Sequence, residues 1–185
     1  MVLLAELWLP IVVSGVFIFF AGFTAWMVLP HHRSDWGRLP SEDELMATLR
    51  KQSAGQGQYT FPHAGSHQAM KDPAWQKKYK EGPCGMLILF RPGGPQMGLS
   101  MALYFIYGLI VSIFVAYVAG RALGPGAEYL SVFRIAGTTA ILAYAGALPV
   151  GAIWFGRSWS SILKEMLDGV VYGLLTAGVF GWLWP

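Results

Sequence analysis

All four histidines of this chain lie between its first two long apolar runs, and they are the natural place to look for chemistry. His63 and His67 stand one turn apart if that stretch is helical, Met70 follows three residues later, and Cys84-x-Met86 lies further on. Imidazole, thiolate and thioether are the donors of copper and zinc sites, so His63, His67, Met70, Cys84 and Met86 are candidate ligands for either ion. Against this, Pro62 precedes the first histidine and Gly65 separates the pair, both unfavourable to a helix, and surface histidines are the plainer reading. His31-His32 leave the first apolar run, and neighbouring residues diverge on either a helix or a strand. No phosphate-binding glycine loop with its lysine, nucleophile elbow or His-Glu-x-x-His is present, so no catalytic residue is expected and an enzyme is the lesser expectation. The single cysteine, Cys84, excludes an internal disulfide and any multi-cysteine metal site.

The elements that must position these residues are set by hydropathy. Of 185 residues, 55% are apolar and only 12% charged, about half the charged share of ordinary soluble domains. Four apolar runs, near 9–29, 98–120, 129–155 and 160–184, each reach the roughly 20 residues needed to cross a bilayer. The expectation is an all-α membrane protein of four transmembrane helices with a small α+β cap between the first two. Residues 1–29 would form the first span, 30–97 the extramembrane domain and 98–185 a three-helix bundle. Pro149 should kink the third span. No span contains a histidine, which argues against intramembrane haem, and no cofactor is expected beyond the alternative of copper or zinc.

Small residues recur every four positions in three runs: Gly108, Ser112, Ala116 and Gly120; Ala143, Ala147 and Gly151; Gly169, Gly173, Ala177 and Gly181. Ala136 and Ala140 form a separate stretch. Such stripes let backbones approach in lipid, either within the bundle or against a partner subunit. Glu128 and Arg134 read as an interfacial pair, and Asp168 as the partner of Lys164 one turn before it.

In the long loop, Ser41-Glu42-Asp43-Glu44 reads as a capping box opening a helix to about Gln52. Asp72-Pro73 opens a second helix through about Lys80, and its Trp75 and Tyr79 share a face flanked by lysines. Tyr59-Thr60-Phe61 and Met86 to Phe90 read as paired strands. About 60 residues is marginal for independent folding, so this cap should pack on the bundle or on a partner.

Eleven of the thirteen lysines and arginines fall in the first and third loops, leaving Arg121 and Arg134 for the other side. The positive-inside rule then places the long loop in the cytoplasm and both termini outside a bacterial inner membrane. A net charge of +3, scattered, gives no footing for nucleic acid. Leu29-Pro30-His31-His32-Arg33-Ser34-Asp35, Tyr59-Thr60-Phe61-Pro62-His63, Asp168-Gly169 and the ending Phe180-Gly181-Trp182-Leu183-Trp184-Pro185 resemble a group of small bacterial four-helix integral membrane proteins of unassigned function. That resemblance implies the architecture and no site residues. The expected function is a non-catalytic membrane subunit or accessory factor, with the bilayer and other membrane subunits as partners. Metal handling through the histidine-containing loop is the alternative, and a lipid-acting membrane enzyme the second.

Overall fold

The computed structural model describes all residues, 1–185. In chain order the elements are α1 (Trp8–Phe23), α2 (Glu42–Lys51), β1 (Gly57–Phe61), α3 (Pro73–Glu81), β2 (Gly85–Leu89), α4 (Met97–Ala122), α5 (Tyr129–Ala145), α6 (Pro149–Phe155) and α7 (Trp159–Trp182). They divide into two compact units, Met1–Gly37 with Met97–Pro185, and Arg38–Gln96.

The larger unit is an antiparallel helical bundle. The N-terminal segment bonds the far end of α4, through Val2 N to Gly120 O at 2.9 Å, while Gly22 at the other end of α1 packs on Tyr104 near the start of α4. The start of α5 meets the end of α7 where Tyr129 lies over Gly181, and the end of α5 meets Gly169. Three helical stretches are long and apolar enough to cross a membrane: Leu4–Val28, Met97–Ala122 and Tyr129–Phe155. The fourth helix, α7, is 24 residues long but carries Lys164, Glu165 and Asp168 in its first half. As expected, Pro149 breaks the third stretch, and α5 stops at Ala145 with a turn before α6 begins on the proline.

Two of the three small-residue stripes are spent inside the bundle. Ser112, Ala116 and Gly108 are buried on α4, where Gly108 faces the backbone of Gly15. A Cβ at Gly120 would stand 2.6 Å from the Val2 carbonyl oxygen. On α7, Gly169, Gly173 and Ala177 are buried against α5, and Gly181 is half-buried under the Tyr129 ring. The third stripe does not pack within the bundle along its length: Ala143 and Ala147 are exposed, and Gly151 meets Arg157 and Ile162. The buried face of α5 is Val132, Ala136, Gly137, Ala140 and Tyr144, offset from the expected stripe by less than a turn.

The smaller unit carries the expected strand pair, with β1 and β2 antiparallel and Tyr59 opposite Leu87. Helix α3 opens as expected, the Asp72 carboxylate accepting from the Ala74 N–H at 2.8 Å. Helix α2 also forms, but the Ser41 side chain makes no capping bond, so the expected capping box is absent and the backbone carbonyl of Ser41 alone receives Leu45 N–H.

Candidate metal centre

The largest departure from the sequence reading is at the end of α1. The helix widens into a π turn, Thr24–Val28, and Leu29 turns extended ahead of Pro30. A tight turn follows, with Arg33 N–H on Pro30 O, and a short 3₁₀ segment covers Arg33–Asp35. In this turn geometry His31 and His32 do not diverge; their rings lie 4.2 Å apart. Both aim Nε2 at one carboxylate on α7: His31 reaches Asp168 Oδ1 at 3.2 Å and His32 reaches Asp168 Oδ2 at 2.7 Å.

The other nitrogen of His32 is also held. Its Nδ1 lies 2.6 Å from Asp35 Oδ2, and Lys164 Nζ donates to Asp35 Oδ1 at 2.7 Å and to Ser34 Oγ at 2.8 Å. The indole of Trp26 stacks on the His32 ring, centroids 3.9 Å apart and planes within 5°. The Asp35 and His32 side chains are each 4% exposed and Asp168 13%, so water contributes little to holding them. Two pairings expected from residue spacing are therefore corrected. Lys164 pairs with Asp35 rather than with Asp168, and Asp168 serves the two histidines. Glu128 and Arg134 form no ion pair; both are exposed, and Arg157 pairs with Glu165 further along.

A histidine with an ionised carboxylate on each nitrogen donates from both as the imidazolium. Burial works against that charge, but the bonds to Asp168 and Asp35 outweigh it, and the His32 pKa is raised above its ordinary 6.5. The Lys164 and His32 hydrogen bonds hold Asp35 below its usual 3.8, against the opposing effect of burial. A raised His32 stabilises the fold fully below pH 6.5 and stops doing so as pH climbs through its folded value. A depressed Asp35 stabilises above pH 3.8 and stops as pH falls through its own. In metal-free protein, the thermal-stability advantage of wild type over His32→Asn should therefore be greatest between these limits and shrink as the solution is made alkaline. A difference that stays flat from pH 5 to 9 would show that His32 is not charged in the fold.

The same set has the donor chemistry of a divalent-metal site. The ligand atoms of His31, His32 and Asp168 lie within 4.8 Å of one another. Donors at about 2.1 Å from a tetrahedral ion stand about 3.4 Å apart, so little movement is required. Asp35 on Nδ1 of His32 supplies the outer carboxylate that orients a metal-bound imidazole and fixes its tautomer, and Lys164 balances that carboxylate. A dication would take the place of the proton on His32 Nε2.

The expected ligands of the loop are only partly gathered. His63, His67 and Met70 line one hollow in the smaller unit. Cys84 is exposed and turned to the Tyr79 carbonyl oxygen, 3.2 Å away, and Met86 sits on β2 opposite Thr60. Neither lines that hollow. The signal for the His31–His32–Asp168 cluster was present in sequence as His32-x-x-Asp35 and as an acidic residue, Asp168, inside an apolar run, where an ionisable group calls for a partner. No protein-family model, curated protein or solved structure matches this chain.

Proposed function

We propose that this protein is a four-span integral membrane protein of the bacterial inner membrane that handles a divalent transition-metal ion, zinc being the best fit, at the end of α1. The observation that carries this reading is the convergence of two imidazole Nε2 atoms on the Asp168 carboxylate, with the second nitrogen of His32 held by Asp35. With α7 as the fourth span, the long loop lies in the cytoplasm by its positive charges and the cluster sits at that face of the membrane. The resemblance to small bacterial four-helix membrane proteins fits this architecture. The set offers two histidines and one carboxylate, leaving room for a water or an exogenous ligand, as metal-handling sites require. No nucleophile or proton-transfer pair beyond the cluster points to catalysis.

A second reading, a non-catalytic subunit or accessory factor of a larger membrane assembly, is favoured by one observation. Ala143 on the outer face of α5 and Ala147 in the turn after it present small, exposed side chains where a foreign helix can approach closely.

One preparation tests both. The protein is purified in mild detergent from its source membrane, and the fraction is read for bound metal and for co-migrating proteins. About one equivalent of zinc in wild type, falling at least tenfold in a His31→Ala/His32→Ala variant, is the expected result. Equal metal in both would refute metal handling at this cluster. Co-migration with a fixed set of larger proteins, lost on Ala143→Leu/Ala147→Leu, would establish the subunit reading.

A further inference from the structure

The smaller unit holds a second group of metal-type donors, separate from the His31–His32–Asp168 cluster. A hollow of about 370 Å³ is lined by His63, His67 and Met70 together with Trp75, Thr60 and Ser66. We propose that this hollow is a Cu(I) site.

Local geometry makes the convergence possible. Gly65, between the two histidines, takes a left-handed conformation with φ of 67°, so the stretch is irregular and the rings are not spaced along a helix. The segment after it, which carries His67 and Met70, is pinned by three bonds: Met70 N–H to Ser66 O at 3.3 Å, Ala69 N–H to Ser66 Oγ at 3.1 Å, and Gln76 Nε2 to Met70 O at 3.3 Å. Thr60 Oγ1 lies 3.2 Å from Nδ1 of His63, which occupies that nitrogen and leaves Nε2 as the ligand atom. His63, His67 and Met70 are all exposed, so an ion can reach them from solvent.

The choice of ion follows from charge and softness. No carboxylate and no thiolate lines the hollow, so the donors are two neutral imidazoles and a thioether. A dication there would keep its full charge uncompensated, whereas a monovalent ion brings half as much. Among first-row ions a thioether donor selects Cu(I). The indole of Trp75, stacked on Tyr79 with ring centroids 5.0 Å apart, completes the lining close enough to report on a bound ion. The His31–His32–Asp168 cluster differs on each count, with an anionic oxygen donor and no sulfur, and so suits a harder divalent ion.

The test uses the full chain in detergent, kept reduced and anaerobic, competing for Cu(I) against a chromophoric chelator such as bicinchoninate. Wild type is expected to take one equivalent with quenching of tryptophan emission, and Trp75→Phe to lose most of that quenching. Met70→Leu, which keeps the shape and removes the sulfur, should weaken Cu(I) binding at least tenfold, and His63→Ala/His67→Ala should abolish it. His31→Ala and Cys84→Ser should bind Cu(I) as wild type does. All these side chains are exposed or half-buried, and circular dichroism of each variant verifies folding. Wild-type affinity in Met70→Leu would overturn the proposal, as would loss of binding in Cys84→Ser or in His31→Ala, each of which would place the copper elsewhere.

Discussion

Asp168→Ala, studied in protein stripped of metal by chelation, is expected to melt on the order of 10 °C below wild type. Asp168 is the acceptor for two rings at once, and its removal leaves the His32 imidazolium 4% exposed with Asp35 as its remaining anion. Breaking a buried pair by deleting one partner costs about 3 kcal/mol, because the other charge stays buried and loses its compensation. For a chain of this length each kcal/mol moves the melting point by about 2–4 °C. The cluster also joins segments far apart in sequence, the turn after α1 and the first half of α7, so its loss removes a long-range tie as well as local contacts. Asp168→Asn keeps one hydrogen-bond acceptor but no charge and should fall between. The check is thermal unfolding followed by tryptophan emission in detergent. An unchanged melting point for Asp168→Ala would mean that water already carries the histidines, and the cluster would then be no clasp.

The second large effect is expected at Gly173. A Cβ there would stand 2.3 Å from Ile141 Cγ1, 2.9 Å from the Ile141 backbone nitrogen and 3.1 Å from its Cα. A side chain can rotate away; the backbone of α5 cannot, and the two helices would have to separate. Gly173→Ala should therefore cost about 3 kcal/mol through overpacking, and Gly173→Leu should prevent recovery of a monodisperse protein. Lipid offers no hydrophobic drive to restore a loosened helix pair, since the tails are as apolar as the side chains they would replace. Gly98→Ala is the control: nothing stands within 4 Å of its would-be Cβ, and alanine is the better helix former. It should melt at or above the wild-type temperature. Equal melting of the two alanine variants would mean that α5 and α7 are not in backbone contact.

Much of this architecture was legible from residue pattern. The apolar runs, the break at Pro149, the two helices of the smaller unit and the pairing of β1 with β2 each follow from local signals that tertiary packing left in force. The face of α5 was not. Ala136–Ala140 and Ala143–Ala147 have the same four-residue spacing, and only the position of α7 decides which of them is buried. The donor cluster was hidden for a different reason. Neighbouring side chains diverge on the regular elements that periodicity can detect, but His31 and His32 lie in an irregular turn, and their shared acceptor is more than a hundred residues away. In the smaller unit three of the five candidate donors line one hollow, whereas Cys84 and Met86 lie just before and on β2 and do not.

Helix α1 begins at Trp8, and Trp26 lies eighteen residues on, just before the turn that carries the histidines. At 1.5 Å per residue those rings stand about 27 Å apart, and both are substantially exposed, at 62% and 46%. Indole rings settle at the headgroup level, so with α1 across a bilayer the pair would suit a hydrocarbon layer near that thickness. Because Trp26 is also the ring stacked on His32, membrane thickness would then bear on the cluster. A thicker bilayer would draw the charged turn toward hydrocarbon, and a thinner one would lift Trp26 toward water and loosen the stack that orients His32.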